Sequence, residues 1–322
     1  MSLRQDLYLQ RQKLKRQWDR FKYGNCTVLL YHRIVETDFD PQQLCVSPKN
    51  FKAQLTYLKK NYKFLTIEQF NDHLLNKKPF PKNSLVISFD DGYADNLKNA
   101  IPILEELNLQ ALFYIATKNL NTSLLFWWDE LDLLFRWEEK MDKTILSELL
   151  KASDTKNTKE LYEHYLNMLK RSHDMRQRDA HLNSIRELRS INEAEKEQYV
   201  CLTFNELKQL AASSSAVIGA HTVEHLSLWC LNEDEQRKEI NDSVSKLKEL
   251  LNMPVDYFAY PYGEKRDYNE KTMKICEELN LKHAAANFGG YMNSESDRYA
   301  FTRHVVRNDS PEIVEKKIKE LL

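Results

Sequence analysis

Residues 86–96, VISFDDGYADN, run an apolar, strand-like stretch directly into Asp90, Asp91 and Gly92. Adjacent carboxylates repel and raise one another's pKa. The pair is therefore either solvated in an ordinary Asp-Asp-Gly turn or compensated by positive charge from another part of the chain. The segment AVIGAHTVEHL offers His221 and His225. At a spacing of four on a helical turn, two imidazoles face the same way and can share one ion; two polar residues in a loop at a helix start are the alternative. Two His and one Asp leave a coordination position open for water, whose ionisation a metal brings near neutral pH, roughly eight units below bulk water. One Asp of the pair then ligates the cation and the other takes the proton of the water. A third segment, DYFAYPYG, ends in Pro261, Tyr262 and Gly263.

These groups need elements that deliver them to one place. Seven short runs rich in β-formers or aromatics, CTVLLYHRIV, SLVISFDD, ALFYIAT, AVIGAHT, DYFAYPYG, KHAAANF and YAFTRHVV, are separated for the most part by amphipathic, helix-length segments. One is SPKNFKAQLTYLKKNY, with Ser47 as the expected N-cap. Strands alternating with helices predict βαβ crossovers and a mainly parallel sheet, here an α/β barrel, open or closed, of about seven strands. In such folds the functional end is where strands hand over to their following loops, and all three motifs stand at such exits. One region breaks the alternation. No glycine occurs between Gly92 and Gly219 and no proline between Pro102 and Pro254, and residues 121–200 are charge-rich with leucines near helical spacing. They are expected to form a helical insertion within a single domain spanning 25–322.

Bulk properties exclude several classes. The 322 residues carry a formal net charge of −1, with no dense Lys/Arg block, which argues against a nucleic-acid-binding face. Five cysteines are scattered without a CxxC pair, so neither a disulfide framework nor a thiolate zinc site is expected. Reduced, buried thiols fit the cytoplasm. Residues 1–24 lack the apolar core of a signal peptide. Leu7, Leu14, Trp18 and Phe21 recur near helical spacing there, predicting an amphipathic helix, with contact to a membrane surface as the alternative. No apolar stretch is long enough to cross a bilayer.

SFDDG, HTVEH and YPYG, in this order, resemble the first three motifs of the polysaccharide deacetylases of the NodB-homology type, carbohydrate esterase family 4. The similarity runs from VLLYHRIV to FTRHVV, leaving out the insertion and the N-terminal helix. The resemblance implies a distorted (β/α)-barrel hydrolase that removes N-acetyl groups from amino sugars with one divalent metal. It implies Asp90 as general base, Asp91, His221 and His225 as metal ligands, and the backbone N–H of Tyr262 as donor to the oxyanion. Zinc suits two imidazoles, a carboxylate and an open position; cobalt, nickel and manganese are alternatives.

Two positions depart from the family pattern. Many members carry an Arg two residues before the motif proline, where it orients the base; here Ala259 stands there, so another group must hold Asp90. No Leu-x-His follows Tyr262 to supply the acid that protonates the leaving amine. His32, at the end of the first strand, resembles the acid of the poly-N-acetylglucosamine deacetylases, and His304 in FTRHVV is the runner-up. Trp127, Trp128 and Pro261 are candidate substrate contacts, the two indoles being core residues in the alternative; Asp129 beside them either bonds a hydroxyl or is solvated. His73, His164, His173 and His181 are expected to be exposed. The expected partner is an N-acetylated sugar or glycan precursor, lipid- or nucleotide-linked if the protein is intracellular. An amidase acting on a non-sugar amide and a silent carbohydrate-binding homologue are the other readings.

Overall fold

The computed structural model describes residue 18, residues 22–172 and residues 175–321. Most of the expected N-terminal helix, and His173, lie outside the described residues. Each of the seven apolar runs forms a strand: β1 Cys26–Tyr31, β2 Ser84–Phe89, β3 Ala111–Ile115, β4 Ala216–Ala220, β5 Tyr257–Ala259, β6 His283–Ala285 and β7 His304–Val305. They pair in parallel in the order β7-β1-β2-β3-β4-β5-β6, and a short strand, Lys63–Phe64, pairs with the start of β2. Among the described residues a parallel bridge, Ala285 to Phe301, joins β6 to the segment leading into β7 and closes the curl. This is a curled, distorted (β/α) barrel.

Helices lie between the strands because each crossover must bury one apolar stripe on the sheet. Helix α1, Pro48–Leu58, starts at Ser47, whose side chain accepts from the Asn50 N–H. Helix α2, Ile67–Leu75, carries a capping box between Thr66 and Gln69. After β2 a π-turn, Asn96–Ala100, runs into α3, Ile101–Glu106. The residues after β3 form α4, Trp127–Phe135, α5, Lys143–Ala152, α6, Thr158–Arg171, and α7, Met175–Arg186. These helices pack around an apolar cluster of their own that includes Phe126, Trp128, Leu131, Leu161 and Ile185. Helices α8, Phe204–Ala212, α9, Glu233–Leu251, α10, Glu270–Glu278, and α11, Pro311–Leu321, complete the outer layer.

The strands read as nearly continuous apolar runs because both faces are buried, and the two-residue period of a strand sorts their side chains. Leu29, Tyr31, Ile87, Phe89, Phe113 and Phe258 pack outward under the helices. Val28, Val86, Leu112, Tyr114, Ala259 and Phe301 point inward, onto Ile67 and Phe70 of α2. Four cysteines are buried and Cys230 is half-buried, and all five are free thiols. Among the described residues no helix is long and apolar enough to cross a membrane.

Candidate active site

Following the inward parity past the strand ends builds the site. In β1 the series Val28, Leu30 continues to His32; in β2, Val86, Ser88 continues to Asp90; in β4, Val217, Gly219 continues to His221. In the extended segment that leads into β7, Phe301 is followed by Arg303 and then, within the strand, by Val305. His32, Asp90, His221, Asn287 and Val305 line one cleft of about 380 Å³ at the C-terminal end of the barrel. His304 has the opposite parity. It is half-buried and feels Lys317, Asp309 and Arg307 rather than Asp90 and Asp91.

The backbone is strained just beyond the strand ends that carry the site. Asp91, His225 and Tyr262 have φ of 76°, 52° and 60°, a left-handed conformation costing non-glycine residues about 1–3 kcal/mol. HTVEH is not helical: Thr222 is also left-handed, at φ 65°, and its hydroxyl accepts from the His225 N–H at 3.0 Å. The two imidazoles thus meet, at 4.8 Å between centroids, through an irregular turn rather than a helix face. Glu239 of α9 holds this turn by accepting from the N–H groups of Val223 and Glu224. The Pro-Tyr-Gly turn is held by the Asn287 N–H, which donates to the Gly263 carbonyl at 2.7 Å. Gly263 is required there: its φ is +71°, and a Cβ would sit 2.8 Å from the Asn287 nitrogen.

Asp91 Oδ1 lies 3.3 Å from His225 Nε2 and 3.7 Å from His221 Nε2. Ligands bound at about 2.1 Å around a tetrahedral ion stand roughly 3.4 Å apart, so the donor set fits one divalent cation. Among the described residues it is the only cluster of three or more His, Cys, Asp or Glu side chains close enough to share an ion. His221 Nδ1 donates to the Ala259 carbonyl at 2.7 Å, which leaves Nε2 as the free lone pair. Burial lowers the pKa of His221 to about 4 and that of His225 to about 3, so both are neutral donors at ordinary pH.

The positive charge that the two acids require comes from Arg303. Its Nη1 and Nη2 donate to Asp90 Oδ1 and Oδ2 at 2.6 and 2.8 Å, and its Nε donates to the Ala286 carbonyl at 3.0 Å. Burial pushes the Asp90 carboxyl up, but Arg303 and His221 outweigh it and hold the group at about 2. Asp91, without such a partner, is raised by burial. Asp90 Oδ2 stands 3.7 Å from His221 Nε2, at the edge of the Asp91, His221 and His225 cluster. The sequence left the group that orients Asp90 unnamed; the inward parity of Phe301, Arg303 and Val305 was the signal that identifies it.

His32 is fixed from behind. Asn96 donates to its carbonyl at 2.9 Å, and the next residue, Arg33, pairs with Asp95 at 3.1 Å. Burial lowers the His32 pKa, partly opposed by Asp91 and Asp90.

Other candidates fall differently from expectation. Trp127 and Trp128 line the cleft but are only 6% and 4% exposed, and their N–H groups are spent on the Tyr262 and Tyr93 hydroxyls. Pro261 is buried in its turn and does not line the cleft; its carbonyl accepts from the Gly263 N–H. Asp129 is buried, not solvated, and accepts from the Tyr93 hydroxyl at 2.8 Å. His164 is exposed, whereas His73 and His181 are half-buried because each sits at the inner edge of its helix.

The sequence profile of the polysaccharide deacetylases matches residues 77–284, well over half of the chain. The chain belongs to the polysaccharide deacetylase family. Among its relatives, YxkH of Bacillus subtilis is 21% identical over 283 residues, covering 88% of this chain and 71% of YxkH. A poly-beta-1,6-N-acetyl-D-glucosamine N-deacetylase of Staphylococcus aureus is 28% identical over 171 residues, 44% of this chain and 59% of that protein. The match thus spans about three fifths of the staphylococcal relative. In fold, the chain resembles PplD of Streptococcus pyogenes, solved in complex with acetate, with a TM-score of 0.60 at 20% identity, covering 92% and 99% of the two chains. IcaB from Ammonifex degensii gives 0.60 at 17% identity, with 92% and 97% covered.

Proposed function

We propose that this protein is a metal-dependent N-deacetylase that hydrolyses the acetamide of an amino sugar in a glycan or glycan precursor. The observation that carries the reading is the convergence of Asp91, His221 and His225 beside an Asp90 held by both nitrogens of Arg303. Asp91 and the two imidazoles are the ligands of a divalent cation, zinc by the chemistry of the donor set. When bound, that cation polarises the acetyl carbonyl and makes the attacking water more acidic.

Each residue then has a defined task. Asp90 takes one proton from the water as its oxygen bonds to the carbonyl carbon. Arg303 keeps Asp90 ionised and aimed, at the cost of basicity, so the acidity of the water matters more than the strength of the base. The Tyr262 N–H, which makes no hydrogen bond within the protein among the described residues, donates to the oxyanion; such a donor contributes about 3–4 kcal/mol to barrier lowering. His32 acts from its imidazolium form, delivering a proton to the amide nitrogen as the C–N bond breaks; acetic acid and the amine leave, and the proton taken up by Asp90 returns to His32. The staphylococcal relative's name supports an N-acetylglucosamine polymer as the first substrate to test.

The experiment is acetate release by zinc-loaded and chelator-treated protein from poly-β-1,6-N-acetylglucosamine, chito-oligomers, and nucleotide- and lipid-linked N-acetyl sugars. Zinc-dependent release from any of them is expected, with Asp90→Asn retaining the metal and losing turnover. Stoichiometric zinc with no release from any acetylated sugar would refute the sugar deacetylase.

A further inference from the structure

We propose that Trp128, held in place by Tyr93 and Asp129, is a positioning residue for His225, so that the helical insertion tunes the metal centre it borders. The proposal rests on the metal-centre reading above. The two ligand imidazoles are oriented by different means. His221 is fixed through its Nδ1 hydrogen bond to the Ala259 carbonyl. His225 Nδ1 is buried and has no hydrogen-bond partner outside its own residue among the described residues. A ligating histidine usually gains its orientation and tautomer from such a partner, and the terminal torsion of a histidine is otherwise broad.

Rings supply what the hydrogen bond does not. The His225 ring meets Trp128 at 4.7 Å, Tyr262 at 4.9 Å and Phe126 at 5.9 Å between centroids, all edge-on. Trp128 is the nearest of the three and is itself immobilised. It stacks on Phe126 at 4.4 Å and 7°. Its indole N–H donates to the Tyr93 hydroxyl at 2.8 Å, and that hydroxyl donates to Asp129 Oδ2 at 2.8 Å. Tyr93 is fully buried and lies under the Arg33 guanidinium, 4.8 Å from its ring centroid.

Trp128 and Asp129 open α4, the first helix of the insertion, whereas Tyr93 follows directly on the Asp90-Asp91-Gly92 turn of the barrel. The end of the insertion returns to the same place: the Ala94 N–H donates to the Val200 carbonyl, and the Leu202 N–H to the Gly92 carbonyl. A relay of two hydrogen bonds therefore connects the insertion, the turn that carries Asp91, and the ring wall of His225. Loss of the Tyr93 hydroxyl frees the indole to shift and lets the unanchored imidazole follow it.

The test uses a matched pair of variants. Tyr93→Phe removes the relay. Tyr162→Phe removes another buried Tyr–Asp hydrogen bond of the same insertion, Tyr162 to Asp132 at 2.6 Å, remote from His225. Zinc affinity is measured by competition with a chromophoric chelator, and site geometry by the visible spectrum of the cobalt-loaded protein. Tyr93→Phe is expected to weaken zinc about 10–100-fold and to shift the cobalt spectrum, while Tyr162→Phe leaves both as in the parent. Trp128→Phe, which keeps a ring but removes the N–H, is expected to weaken zinc as well, and serves if Tyr93→Phe does not fold. Parental zinc affinity in Tyr93→Phe or Trp128→Phe, or equal losses in Tyr93→Phe and Tyr162→Phe, overturns the relay. A parent protein that binds no zinc overturns the metal centre itself.

Discussion

Replacing Arg303 with methionine removes the guanidinium while keeping an unbranched side chain in the barrel. Asp90 then loses both charge-assisted hydrogen bonds, and burial, the largest influence on its carboxyl, is left less opposed. In the metal-free parent, the Asp90 pKa of about 2 lies below its unfolded value of about 3.9. A depressed carboxylate stabilises the fold above the unfolded pKa and loses that contribution as pH falls through the folded pKa. The contribution is roughly 2–3 kcal/mol at neutral pH and disappears between about pH 4 and pH 2. Breaking a buried pair from one side costs about 3–5 kcal/mol, so Arg303→Met should unfold at distinctly lower urea at pH 7. The gap to the parent should narrow as pH falls below about 4. Turnover should fall about a hundredfold, near 2.7 kcal/mol of barrier, because a misaimed base costs that much, with zinc content unchanged. Urea titrations at several pH values and acetate release with metal analysis measure these effects. A variant with turnover within a few-fold of the parent, or a stability gap that does not change below pH 4, would refute Arg303 as the group that holds Asp90.

Other outcomes follow from the same geometry. His32→Gln should lower acetate release by about 10²–10⁴, whereas His304→Gln, on the outward face, should leave it near the parent; the opposite ranking would reassign the acid. Gly263→Ala should abolish turnover with the barrel still folded by circular dichroism, because the added Cβ meets the Asn287 nitrogen at 2.8 Å and displaces the Tyr262 N–H. His283 is fully buried, has no hydrogen-bond partner outside its own residue on either ring nitrogen among the described residues, and is enclosed by Phe70, Tyr257 and Phe301. Burial depresses its pKa to about 3, so between the unfolded value near 6.5 and that value the unfolded chain binds the extra proton and stability falls as pH falls. His283→Phe should flatten the stability–pH slope by up to about 1.4 kcal/mol per pH unit in that window, checked by urea titrations from pH 7 to 4; an unchanged slope would contradict the assignment.

Much of the architecture was legible from local pattern. The seven apolar runs became the seven strands, and Ser47 caps α1 as its type and position predict, because strand and cap preferences are local properties of the chain. Asp90, Asp91, His221, His225 and Tyr262 stand at strand exits where a parallel barrel gathers its chemistry. The alternation of β1 and β7 also placed His32 on the cleft face and His304 on the opposite one, since a one-residue step moves a side chain to the other face of a strand.

Other features depended on distance in space. Arg303 and Asp90 are 213 residues apart and meet only because the sheet curls until β7 lies beside β1. The buried state of Trp127, Trp128 and Asp129 follows from the packing of the insertion against the barrel, which a charge-rich stretch with scattered aromatics does not announce. The HTVEH turn is irregular because Thr222 and Glu239 stabilise a left-handed backbone that helical spacing does not predict. The sequence by itself determined which side chains reach the mouth of the barrel, through the two-residue period of its strands and the order of its crossovers. Only the tertiary structure decided which of them compensate one another, because the pairing of charges depends on the closing of the curl and on burial, and neither is a property of neighbouring residues.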